Sequence, residues 1–217
     1  MNKSVDNFEL IKKFCNFEEG TFYTFFCITR KKDEENNKVI KRWYIDSIKQ
    51  LEEEIPYMRK MADTFNARIY MNTDKRSISK YFYELSKTIL DNMYYRNSLN
   101  SKSIEKITAS ITSMNEITVS DSKYILMDID TDDKITDSSK MIEDVYDAIY
   151  KTYTAYNSIE TLPEFASSVK MFNTIHGHHI VFPRKMKLYS DELVELLKKY
   201  NSNIEIKENA SVLVYYN

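Results

Sequence analysis

Two glycines in 217 residues leave this chain little backbone freedom for tight or irregular loops. Gly20 and Gly177 are therefore expected where the backbone adopts a conformation that other residues resist. The same scarcity excludes a Walker loop and a dinucleotide-binding fingerprint, because both need several glycines within a few residues. The chain is long enough to bury a real core, and 42% apolar with 29% charged residues is ordinary for a globular protein.

Patterning then predicts the elements. Residues 21–29 are aromatic and β-branched and read as a strand, and Val39 to Ile45 alternates as a second. Ser47 is placed to cap a helix running to about Phe65, with Ile48, Leu51, Ile55 and Met58 on one face. A short strand over Ala67–Met71 precedes a long helix from about Ser77 to Tyr95, whose stripe is Ile78, Phe82, Leu85 and Ile89. The Ser-, Asn- and Thr-rich stretch 101–120 reads as a connection. Beyond it come a strand to Asp130, a helix from Asp137 or Ser138, strands over Val169–Thr174 and His178–Pro183, a helix from Ser190 to about Tyr200, and strands over Ile204–Lys207 and Val212–Tyr216. The expected class is α+β: an RRM/ferredoxin-like antiparallel sheet over 121–217, packed with an N-terminal β/α lobe over 1–100 as one compact body.

Charge and cysteine content narrow the function classes. With a net charge of −2, binding of nucleic acid would need a local basic patch. Arg30-Lys31-Lys32 is offset by Asp33, Glu34 and Glu35, which leaves Arg68, Lys75, Arg76, Arg184, Lys185 and Lys187 as the basic residues of interest. Two cysteines make neither a disulfide framework nor a zinc site, and Cys27 reads as a small buried hydrophobe. The start has no apolar signal region, and no run of 18 apolar residues occurs, so a cytoplasmic protein without a membrane partner is expected.

Two motifs carry chemistry. In Tyr124-Ile125-Leu126-Met127-Asp128-Ile129-Asp130, the alternation of a strand puts Asp128 and Asp130 on one face, where hard oxygen ligands suit Mg²⁺ or Mn²⁺. The competing reading is a strand that ends in a polar turn. In Asn173-Thr174-Ile175-His176-Gly177-His178-His179-Ile180, all three histidines fall within four residues, and His179 enters an apolar strand on the face opposite His178. A histidine there can donate to phosphate oxygens; a surface turn, adventitious metal binding or a satisfied core histidine are the competing readings.

Taken together, the motifs resemble those of the archaeo-eukaryotic primase (primase-polymerase) superfamily, mainly over residues 121–216. Met127-Asp128-Ile129-Asp130 matches its hydrophobic-Asp-hydrophobic-acid motif, and Gly177-His178-His179 its small-x-His motif. The resemblance implies a metal-dependent nucleotidyltransferase of DNA replication or repair, acting on a nucleoside triphosphate with single-stranded or template nucleic acid, and working with other replication proteins. It implies Asp128, Asp130 and His179 as catalytic groups with His179 at the nucleotide; Arg184, favoured because it sits near His179, and Thr174 and Arg76 are the further nucleotide-binding candidates. It also implies Mg²⁺ or Mn²⁺ on Asp128 and Asp130. The family places a third acid on a strand after the histidine, whereas the strand over Ser211–Tyr216 has none; Glu205 or Glu208, just before it, is the substitute, with Glu205 taken as the metal ligand. Without a third acid, the alternatives are a degenerate primase-fold protein that binds nucleic acid or a replication partner, and a metal-dependent nuclease.

Overall fold

The computed structural model describes residues 4–29, 38–96, 100–119, 124–130, 138–157, 168–184, 195, 198–199, 204–208 and 211–217. Among these the chain is α+β, with two antiparallel sheets. The first sheet orders its strands β1 (Val5–Asp6), β10 (Ser211–Tyr216), β4 (Arg68–Asn72), β2 (Thr21–Thr29) and β3 (Lys38–Ile45), and β5 (Arg76–Ser77) adds to β2. The second orders β7 (Lys170–Asn173), β8 (Gly177–Pro183), β6 (Tyr124–Asp130) and β9 (Ile204–Glu208).

Local signals set most of the elements. Helix α2 (Ile48–Phe65) starts where the Ser47 hydroxyl accepts from the Gln50 N–H, and ends where Asn66 takes the left-handed conformation at φ 46°. Its Leu51, Ile55, Met58 and Ala62 are buried, together with Phe8, Ile11 and Phe14 of α1 (Phe8–Phe14). Gly20 has φ +75°, as expected of a position that needs freedom, whereas Gly177 lies in strand β8 without a left-handed φ.

Three expectations are corrected. The stretch 101–120 is not a bare connection: α4 (Ser101–Thr112) fills most of it, capped by the Asn100 side chain accepting from the Ser103 N–H. Its Ile104, Ile107 and Ile111 fall at helical spacing, a stripe masked by the Ser/Thr-rich composition. Helix α3 (Ile78–Arg96) forms as expected, but Phe82 is 57% exposed, because the helix packs beside α4 and buries no full stripe in a core. The final strand, placed by chain order in the 121–217 lobe, instead pairs with β1 and β4 in the first sheet. The helix expected from Ser190 lies outside the described residues except at 195, 198 and 199, which are helical.

The core positions the site. One face of the second sheet offers Ile125, Met127, Ile129, Ile180 and Phe182 to α5 (Ser138–Asn157), which buries Met141, Val145, Ala148 and Ile149 there. On the opposite face, Leu126, Phe172 and Val181 join the cluster built around the first sheet. That face is thus apolar where it meets the rest of the molecule, and turns acidic two residues farther along β6. No helix among the described residues is long and apolar enough to cross a membrane.

Candidate functional site

Antiparallel register brings the two sequence motifs together. Asp128 is paired with His179 on β8 and with Glu205 on β9, and His179 in turn with Phe172 on β7. Directly opposed residues share a face, so Phe172, His179, Asp128 and Glu205 form one row across the sheet. Asp130 and Lys207 extend the same face, being two residues from Asp128 and Glu205 along their strands. His178, registered with Ile129, belongs to the opposite face, as the alternation predicts.

Asp128 is tied on both oxygens. His179 Nε2 lies 3.3 Å from Oδ1, and Lys207 Nζ lies 2.6 Å from Oδ2 and 2.9 Å from Glu205 Oε2. The His179 tautomer follows from its other nitrogen: the Leu213 N–H of β10 donates to Nδ1 at 3.4 Å. An Nδ1 that accepts places a proton on Nε2, which donates to Asp128. Burial pushes the Asp128 carboxyl up, but the hydrogen bonds from His179 and Lys207 outweigh it and hold the pKa down at about 2.

A depressed folded pKa contributes stability above the ordinary carboxylate value and loses it as pH falls through the folded one. For Asp128 the contribution is about 2 kcal/mol, lost between about pH 5 and pH 2. Urea unfolding of wild type and Asp128→Asn across that range is expected to show the wild-type advantage shrinking by this amount on acidification. A constant difference would contradict the bonding described.

These groups open into a cleft of about 690 Å³ between the sheets. Its second-sheet wall includes Leu126, Asp128, Asp130, Thr174, His179, Glu205 and Lys207; Phe26, Ile28, Arg68 and Tyr70 of the first sheet face them. The rings of Phe26 and Tyr70 are stacked 5.7 Å apart, and the Arg68 guanidinium lies 5.2 Å over the ring of Tyr216. No family model, curated protein or solved structure matches this chain.

The expected site residues divide accordingly. Asp128, Asp130, His179, Thr174 and Glu205 all line the cleft. Glu205, the expected substitute for an acid on Ser211–Tyr216, stands on β9 directly beside Asp128; Glu208 is registered with Ile125, three residues away. Arg184 does not line the cleft: it follows β8 at the end paired with Tyr124, roughly 16 Å along the strand from His179. Arg76 is not in the cleft either. It is buried, with its guanidinium donating to the Met114 carbonyl and the Thr118 hydroxyl, a structural tie to the 115–117 turn. Lys75 is likewise committed, to Glu18 at 2.6 Å.

Two residues had no assigned place in the sequence reading. Lys207 was signalled by the Glu-x-Lys alternation of β9, which puts it on the face of Glu205. Asn7 carried no signal: its side chain donates at 2.8 Å to the carbonyls of Asn173 and Leu213, joining the two sheets.

The donor set fits a divalent cation in kind. Asp128, Asp130 and Glu205 supply carboxylate oxygens from one face, and two of those carboxylates already hold a cation, the Lys207 ammonium. No group of three or more histidine, cysteine or carboxylate ligands converges among the described residues.

Proposed function

We propose that this chain is a metal-dependent nucleotidyltransferase similar to a primase-polymerase catalytic core, acting on a nucleoside triphosphate and a nucleic acid strand in DNA replication or repair. The observation that carries the proposal is the row His179–Asp128–Glu205 with Asp130 beside it, at the wall of a cleft that also holds Arg68. The strand order β9-β6-β8-β7, with α5 leading from β6 to β7, supports an RRM/ferredoxin-like reading of the second sheet, since it is the order of a split βαβ unit.

In this reading Asp128, Asp130 and Glu205 hold Mg²⁺ or Mn²⁺, which neutralises charge on the polyphosphate when bound. His179 keeps its proton on Nε2, because Leu213 occupies Nδ1, and offers it to a phosphate oxygen as it does to Asp128. Arg68 adds a fixed positive charge from the facing wall, the role expected of Arg184. The stacked Phe26 and Tyr70 give that wall an apolar surface for a base or sugar.

A second reading, a protein of the same fold that binds nucleotide or nucleic acid without turnover, is favoured by one observation: Lys207 lies between Asp128 and Glu205. The test is titration of a labelled nucleoside triphosphate with and without Mn²⁺, followed by primer extension. Binding is expected to require Mn²⁺, and Arg68→Ala to weaken it about tenfold, the loss of one charge-assisted contact. Binding without extension selects the second reading; no binding under either condition removes both.

A further inference from the structure

Lys207 Nζ is 2.6 Å from Asp128 Oδ2 and 2.9 Å from Glu205 Oε2. It reaches them from the strand that carries Glu205, two residues on, and its side chain is 39% exposed. A divalent ion bridging the same acid pair would contact carboxylate oxygens at about 2.0–2.2 Å. An ammonium at hydrogen-bond distance from both already fills that place, and the two cations cannot share it. The remaining Asp128 oxygen is engaged by His179.

We infer that Lys207 is a tethered counter-ion that competes with a divalent cation for the Asp128–Glu205 pair and is displaced when the cation binds. The inference rests on the metal-dependent reading above. In the cation-free protein the tethered ammonium offsets the repulsion among Asp128, Asp130 and Glu205. Its cost is a weaker hold on a bare cation, because each binding event must break two charge-assisted contacts. A polyphosphate arriving with the cation gives the displaced ammonium a new anionic partner, so cation and nucleotide strengthen each other's binding.

The experiment is a titration of Mn²⁺ alone, followed by the electron paramagnetic resonance signal of the free ion, into wild type, Lys207→Gln and Lys207→Arg. Lys207→Gln is expected to bind at least about tenfold more tightly than wild type, as the competing charge is gone. Lys207→Arg keeps the charge and is expected to stay weak. Equal binding by wild type and Lys207→Gln overturns the inference and leaves the metal reading intact; absence of Mn²⁺ binding in all three removes both. A second measurement needs no variant: amine-reactive labelling of Lys207 in the wild-type protein, read by mass spectrometry, rises when Mn²⁺ is added. Unchanged labelling at a Mn²⁺ level that saturates the protein overturns the inference.

Discussion

Asp128→Asn is expected to abolish Mn²⁺-dependent nucleotide binding and to lower primer extension at least about a hundredfold, while the protein still folds. The substitution is nearly isosteric. Asparagine keeps an oxygen that accepts from His179 Nε2–H, so the histidine retains its orientation. What disappears is the charge in the middle of the row, the one carboxylate placed against both His179 and Glu205. Removing a charge from a shared ionic site costs several kcal/mol of cation binding, on the order of the hundredfold stated. Folding loses only the Lys207 ion pair, and Lys207 keeps Glu205 at 2.9 Å, so the stability change stays within about 2 kcal/mol. Primer extension and a thermal melt on the same preparation check both halves. Full activity in the variant would remove Asp128 from the mechanism.

The largest effect on stability is expected at Asn7. Its side chain is buried; Nδ2 donates to Asn173 O and Leu213 O at 2.8 Å, and Oδ1 accepts from the Asn173 N–H at 3.3 Å. Asn173 belongs to the second sheet and Leu213 to the first, so one amide joins the two. Asn7→Ala removes all three bonds and leaves the Leu213 carbonyl buried without this donor, whereas the Asn173 groups lie on an exposed residue, for a total of about 2 kcal/mol. Leu213 is also the donor to His179 Nδ1, so the loosened contact reaches the site, and weaker nucleotide binding is expected alongside the lowered denaturant midpoint. A change below about 1 kcal/mol would show that water replaces the amide at no loss.

How far the sequence reached depended on how local each signal was. Ser47, the apolar face of α2 and the acid-terminated strand of β6 are short-range patterns that the structure carries, except that Ile48, in the first turn of α2, is exposed and Ala62 is buried with Leu51, Ile55 and Met58. The faces of Asp128 and His179 follow from alternation within their own strands. Which strands lie side by side is a non-local matter that chain order does not encode: Ser211–Tyr216, expected in the second lobe, joins the first sheet, whereas Glu205, expected with the acid pair, faces Asp128 because β9 pairs with β6. Charge singles out Arg76 and Arg184, and nearness to His179 favours the second; Arg76 is used up in burial and Arg184 is carried away by the direction of β8. Arg68, one of the basic residues of interest in the sequence, is the one that the pairing of β4 in the facing sheet brings to the cleft.

The insertion of β10 between β1 and β4 sets a timetable for folding. Val5 pairs with Tyr216, so the first sheet closes only after Tyr216 has left the ribosome. Until then the edge of β4 stays open, with Ile69, Tyr70 and Met71 lacking the strand that covers them in the finished protein. Contacts this distant in sequence close slowly. A chain made only as far as β4 therefore presents an adhesive strand edge, and its assembly depends on whatever keeps that edge apart from other chains until Ser211–Tyr216 is in place.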